Sequence, residues 1–471
     1  WVALGTVFRG AVHDFSALVI SLRNRGRSIG DIAGNVIGPR VHTLFLLIIS
    51  FLIWIVLAVF AFIIGTLFVL YPGSIFPINV QIIVAIVLGW LVYRRRVGIF
   101  APSVVGFVLL LIAVFYGTAF AEAVPAVTRI SVIEWVWILL IYCFVASVLP
   151  VWLLLQPRDY LNSHQLVTGL ALLTLGLVVL HPIIQAPVLN LRPAGAPPLI
   201  PFLFIIIACG AISGFHGLVA SGTTSKQVGC MTDARAIGYG GMLGEGTLGL
   251  LAVLAATAGF TSADEWFAHY GSWGAAQGLS AKLEAFVLGG GRFLAALGIP
   301  HEMATTFIAV MVVAFAATSL DTGARILRLV ISELGRAYGV QPLRNRYIAG
   351  ALGVGLALLL AVTQAGGKGG LILWPLFGTT NQLLAGVTLL VVSIWLRRAG
   401  RPYVYTLIPM LFVAAATVYA MISELHGYFV NRNWLLAAMG ILILACDIWV
   451  MLEGTRVLAA ARALPGTTTE A

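Results

Sequence analysis

Apolar runs long enough to cross a bilayer follow one another along almost the whole chain, and nothing else restricts its fold as much. They fall at roughly 1–21, 43–70, 78–93, 99–121, 133–156, 164–181, 199–221, 236–260, 301–325, 347–364, 372–396, 404–424 and 433–455. A hydrocarbon core about 30 Å thick takes about 20 residues of helix to span. Inside it every backbone group must find its partner within the protein, and runs of this length do so as helices. The expected fold class is therefore all-α: a polytopic bundle of about 13 spans, with residues 1–471 forming a single integral domain. Charged residues make up only 9% of the chain, against roughly a quarter in a soluble domain.

The formal net charge of +10 raises the question of nucleic acid. That partner is excluded, because the basic residues sit in short connections between apolar runs, as the positive-inside rule expects. With the loop of Arg23, Arg25 and Arg27 placed in the cytoplasm, 20 of the 27 Lys and Arg residues collect on that side, among them Arg94 to Arg96, Arg325, Arg328, Arg397, Arg398 and Arg462. Six fall outside: Arg129, Arg192, Lys282, Arg292, Lys368 and Arg432; Arg9 lies within the first run. The C-terminus is then cytoplasmic and the partner is the lipid bilayer. The Gly-rich connection 261–300 becomes an external loop or re-entrant segment between residues 1–260 and a C-terminal region of five helices, 301–471. Cys143, Cys209, Cys230 and Cys446 show no metal-ligand spacing, so structural thiols, and neither metal nor cofactor, are expected. Trp1 opens inside an apolar run with no signal-peptide pattern, which suggests a preceding segment.

One run breaks down at membrane depth. From Cys209 to Glu245 the chain reads CGAISGFHGLVASGTTSKQVGCMTDARAIGYGGMLGE. Gly214 and its neighbours loosen the backbone, while Ser213, His216, Ser221, Thr223 and Thr224 supply polar groups. Irregular backbone in a bilayer must line a cavity or pack on protein, and discontinuous helices are where secondary transporters hold substrate and ions. A loss of helicity near 213–217 is expected, with a polar chamber at the break.

His216 is a candidate ligand for a substrate carboxylate or a proton, since imidazole titrates near neutrality; the alternative is a histidine satisfied by a neighbouring helix. Ser221, Thr223 and Thr224 can coordinate an ion or merely cap the next helix. Glu245 lies about ten residues into its run, about 15 Å deep at 1.5 Å per residue. A carboxyl there is either a proton carrier or a hydrogen-bonded helix lock. Asp321 has Arg325 at i+4 as a partner on its own helix, so an Asp–Arg lock stands beside an ion-coupling role. Asp14, next to His13, is a site acid or an interhelical bond. Gln156, Arg158 and Asp159 read as an inner latch or a solvated loop pair. In LWPLFGTTNQ, Pro375 and Gly378 are expected to interrupt a span, and Asn381 and Gln382 offer amides for a substrate or for interhelical bonding.

Five ordered blocks carry a resemblance. SGFHGLVASGTTSKQ with DARAIGYGGMLGE, GAVHDFSALVISLRNRGRSIGDI, LPVWLLLQPRDYL, TSLDTGARILRLVISEL and LWPLFGTTNQLLA resemble the signatures of the carbon starvation protein A (CstA) family. The resemblance implies an inner-membrane importer of a small carbon nutrient, pyruvate by proton symport or short peptides, active during carbon starvation. The family is grouped with amino acid–polyamine–organocation transporters, which implies a leucine-transporter-like architecture of two inverted five-helix repeats with discontinuous helices. The run 199–221 would be the second repeat's broken helix; the first repeat's counterpart would precede Trp1.

No ATP-binding motif is present, so an ion gradient, H⁺ with Na⁺ as the alternative, would drive uptake. The substrate is read as small and anionic or zwitterionic. A monocarboxylate is slightly preferred, because the polar groups are few and close together. A haem or redox subunit would need paired histidines on facing spans, and only His13 and His216 lie well inside runs. A membrane hydrolase would need a nucleophile elbow, which is missing around Ser213. A nutrient sensor on a transporter fold is the remaining alternative. No catalytic residues are assigned.

Overall fold

The computed structural model describes residues 1–191, 195–274 and 279–461. Arg192 and Arg462, counted above, lie outside these. Among the described residues there are helices and no strands. In chain order the helices are α1 (Val2–Arg23, with a π-helical turn at Thr6–Gly10), α2 (Ile29–Val36), α3 (Pro39–Leu70), α4 (Ile75–Arg95), α5 (Phe100–Phe115), α6 (Gly117–Ala123) and α7 (Val132–Val148). Then come α8 (Leu155–Leu180), α9 (Leu199–Ile206), α10 (Gly214–Gly222), α11 (Gly241–Ala258), α12 (Ala263–Tyr270) and α13 (Leu279–Ala295). The last five are α14 (His301–Ala337), α15 (Arg346–Val362), α16 (Gly369–Arg398), α17 (Val404–Val430) and α18 (Trp434–Ala460).

Nine spans among the described residues are long and apolar enough to cross a membrane, and α5 with α6, bent by 54°, make a tenth. The apolar α7 and α15 are shorter, at 17 residues each. Apart from 199–221, each apolar run of the sequence is mainly helical, with shifted ends. The fifth stops at Val148 because Pro150 follows, and α8 restarts at Leu155 with Pro157 in its first turn, where a missing N–H costs nothing. Gln156, Arg158 and Asp159 therefore belong to a helix start, not to a loop. The expected interruption at Pro375 is absent: α16 continues through it.

Burial sorts the helices into layers. The most apolar window of α16 is 89% buried, against 22% for α8. A helix that is apolar all round belongs in the centre, and α3, α14 and α16 form that centre, with α8, α11, α17 and α18 outside it. The 261–300 stretch contributes α13, which packs on α8, α11 and α14. Its glycines make that possible. A Cβ at Gly291 would lie 2.6 Å from the Thr305 methyl, and one at Gly289 would strike the Ala255 carbonyl. Small residues at such crossings let helices without water between them approach closely.

Candidate functional site

The broken run is two short helices, α9 and α10, joined by non-helical residues 207–213. The break lies upstream of the expected 213–217, and His216 stands in the first turn of α10. The reason is a cap supplied from elsewhere in the fold. Asn381 Oδ1, on α16, accepts from the Phe215 backbone N–H at 2.9 Å and from Ser213 Oγ at 3.2 Å. That satisfies a donor the helix start leaves free, so helix resumes at Gly214. A Cβ at Gly214 would come within 2.6 Å of Leu384 Cβ, and α10 lies tight against α16 here.

The carbonyls freed by the break are also met by protein. Trp1 Nε1 donates to Ile207 O at 2.8 Å and Thr6 Oγ1 to Gly210 O at 2.9 Å. Gln382 Nε2 donates to Phe204 O at 3.0 Å and Ile212 O at 3.2 Å. Non-helical backbone at membrane depth requires such internal partners. Ser213, Asn381 and Gln382 are accordingly almost wholly buried; their polar atoms hold the break together and do not line the chamber beside it.

That chamber, about 560 Å³, lies between α1, α3, α10, α11 and α14. Its polar lining is Asp14, His216, Thr224, Glu245 and Ser319; much of the rest is apolar, including Phe60, Phe215, Phe315 and Phe377. Three of the candidates meet there. His216 Nδ1 is 2.9 Å from Asp14 Oδ2, and its Nε2 is 3.1 Å from Glu245 Oε2. Asp14 Oδ1 in turn lies 2.7 Å from Nδ1 of the buried His13. A neutral imidazole carries one N–H, yet both nitrogens of His216 face carboxyl oxygens. Either His216 is an imidazolium or one acid holds the proton. The chain His13–Asp14–His216–Glu245 is thus built around a shared proton, with Glu245 open to the chamber.

A second space of about 370 Å³ shares Val219, Thr224 and Ile237 with the chamber and extends to Thr223, Gln227 and Asp233. It adjoins the chamber, and Thr223 lies on it. Ser221 is on the other face of α10: its hydroxyl donates to Gly217 O at 2.7 Å and accepts from the Ile29 N–H at 3.0 Å.

Asp321 is away from this group. It does not pair with Arg325. Arg158, buried on α8, binds its carboxylate, and Tyr142 Oη donates to the same oxygen at 2.9 Å. Arg325 Nη2 instead donates to Leu149 O at 2.6 Å and to Ala146 O at 3.2 Å. The i+4 rule describes an isolated helix; α14 is a central one and meets α7 and α8 at this level. Sequence reasoning missed Arg158 as a buried partner and Glu424, whose carboxylate sits on α17, 3.4 Å from Thr379 Oγ1. An acid at the end of an apolar run was the available signal for Glu424; Arg158 was marked as a latch residue, but nothing local names its partner Asp321, 163 residues away.

The chain is 32% identical to the peptide transporter CstA of Campylobacter jejuni, over 91% of this chain and 69% of that one. It is 35% identical to the peptide transporter CstA of Mycobacterium tuberculosis, over 85% and 61%. To the pyruvate/proton symporter BtsT of Escherichia coli it is 33% identical, over 89% and 69%. The chain thus spans about two thirds of the length of these relatives. A manganese transporter of Eremococcus coleocola aligns over 95% of each chain at TM-score 0.47 and 14% identity, a likeness too distant to carry an argument. The family model described as carbon starvation protein CstA matches residues 1–420, and this multi-pass membrane chain belongs to that family.

Proposed function

We propose that the protein is a proton-coupled secondary transporter, not an enzyme, that imports a short peptide or pyruvate across the inner membrane by alternating access. The observation that carries this is His216 bridging Asp14 and Glu245 beside the helix break, at the wall of a chamber. Glu245 is the group that exchanges a proton with the chamber; His216 passes charge to Asp14; His13 holds Asp14 in place. His216 has both ring nitrogens on carboxyls, Nδ1 on Asp14 and Nε2 on Glu245, which leaves none for a haem iron and speaks against the redox alternative. The similarity to a pyruvate/proton symporter and to peptide transporters supports H⁺ over Na⁺ and bounds the substrate class.

Chamber size and charge favour the peptide. About 560 Å³ lies within the range of sites that bury drug-sized ligands and exceeds what a three-carbon acid fills. No Lys or Arg is among the described lining residues, while two carboxyls are. A peptide α-ammonium can rest on Glu245 and its carboxylate near His216. A lone monocarboxylate would face two acids with one imidazole.

The test is uptake of labelled dialanine and of labelled pyruvate into proteoliposomes, under an imposed pH gradient or an imposed Na⁺ gradient. Accumulation of dialanine driven by the pH gradient, weakly competed by pyruvate, is expected. Absence of gradient-driven uptake of both would refute the proposal, and accumulation driven only by Na⁺ would reassign the ion.

A further inference from the structure

Outside the chamber, one set of His and acidic side chains among the described residues brings three donors together. Asp31 on α2, His42 at the start of α3 and Glu333 near the end of α14 place one donor atom each within 4.8 Å of one another. We propose that these three residues form a binding site for a divalent transition metal of the zinc class.

The donors are hydrogen-bonded or close to one another here, and a small opening of the group would admit such an ion. His42 Nε2 is 2.6 Å from Glu333 Oε1 and 3.8 Å from Asp31 Oδ1. Around a tetrahedral ion with bonds of about 2.0–2.2 Å, donors sit about 3.3–3.6 Å apart, which these side chains reach by small rotations. One imidazole with two carboxylates selects zinc-class ions; Ca²⁺ and Mg²⁺ prefer oxygen alone.

The surroundings are shaped for the ligands. Ser28 Oγ caps α2 by accepting from the Asp31 N–H at 3.1 Å, which fixes Asp31 in the first turn. Gly34 leaves room for the imidazole: a Cβ there would lie 2.9 Å from His42 Cβ and 3.2 Å from its Cγ. A cavity of about 280 Å³ opens onto Asp31 and Glu333, giving an entry path and space for a water as fourth ligand, the arrangement of an open three-ligand zinc site. Arg27, Lys226 and Arg336 line the same cavity. Of these, Arg27 acts on Asp31 and Arg336 on Glu333, and they offset the carboxylates' charge in part.

The site also touches the transport helix. Ser21 Oγ donates to Ser221 O at 3.1 Å, and Ser221 Oγ accepts from the Ile29 N–H, tying the start of α2 to the end of α10. A metal joining α2 to α14 braces the helix that carries His216.

Cobalt is the probe. Tag-free protein, stripped with chelator and titrated with Co²⁺, is expected to develop the visible absorption of a low-symmetry four-coordinate ion at one equivalent, displaced by Zn²⁺. His42→Ala should abolish it, and Asp31→Asn, which leaves the imidazole packing intact, should weaken binding tenfold or more. Elution as a single species by size exclusion, with an unchanged melting temperature in chelator, certifies each variant as folded. No stoichiometric absorption in the wild type, or absorption that survives both substitutions in folded protein, would overturn the proposal. Binding is read without transport, so its outcome is independent of the coupling scheme above.

Discussion

Among the described residues Glu245 pairs with His216, whose Nε2 lies 3.1 Å from its Oε2, and it faces the chamber. Glutamine keeps its length and its hydrogen bonding but releases no proton. Glu245→Gln is therefore expected to abolish gradient-driven accumulation in proteoliposomes while peptide exchange persists, weakened by about tenfold, or about 1.4 kcal/mol, for the lost charge under the α-ammonium. Accumulation at the wild-type level would remove Glu245 from the coupling path. That Glu245 stands on a helix beside a chamber was legible from the sequence, because a carboxyl within an apolar run needs polar surroundings. Its meeting with Asp14 through His216 was not. Asp14 and His216 are 202 residues apart, and no local pattern says which face of α1 turns toward α10.

The elements show the same division. A break near residue 210 could be foreseen, because Gly, Ser and His at membrane depth need a cavity or a partner. Its register was displaced, because the cap comes from Asn381, 166 residues beyond Phe215. The lock on α14 was foreseen in kind and missed in partner. Removing one member of a buried ion pair strands the other and costs about 3–5 kcal/mol. Asp321→Asn should cost that much, since Arg158 is 1% exposed with Nε and Nη2 already unpartnered. Arg325→Ala should cost less, about 1–3 kcal/mol, because what it loses are hydrogen bonds to two carbonyls. Melting of the two variants in the same detergent checks the order. A larger drop for Arg325→Ala would restore the i+4 pairing the sequence suggests.

At the scale of the whole molecule, the distribution of Lys and Arg fixes a testable orientation. The space adjoining the chamber is lined by Thr223, Gln227 and Asp233, in the connection expected in the cytoplasm together with Arg94 to Arg96 and Arg336 if the positive-inside rule holds here. Its thiol is a reporter. Cys230 is exposed, Cys143 is buried, and Cys209 and Cys446 are part-buried. The Thr232 hydroxyl, 3.0 Å from the Cys230 sulfur, holds that thiol below its ordinary pKa. The thiolate is the form that reacts, so at neutral pH Cys230 carries more of it than an unperturbed cysteine, and its labelling slows as pH falls through the lowered pKa. A charged, impermeant maleimide should label Cys230 in inside-out vesicles and not in right-side-out ones, with Cys230→Ser as the blank. That outcome places the space beside the chamber on the cytoplasmic side, where substrate and proton are released. Labelling from the outer face alone would reverse the whole bundle and place the same space on the side of entry.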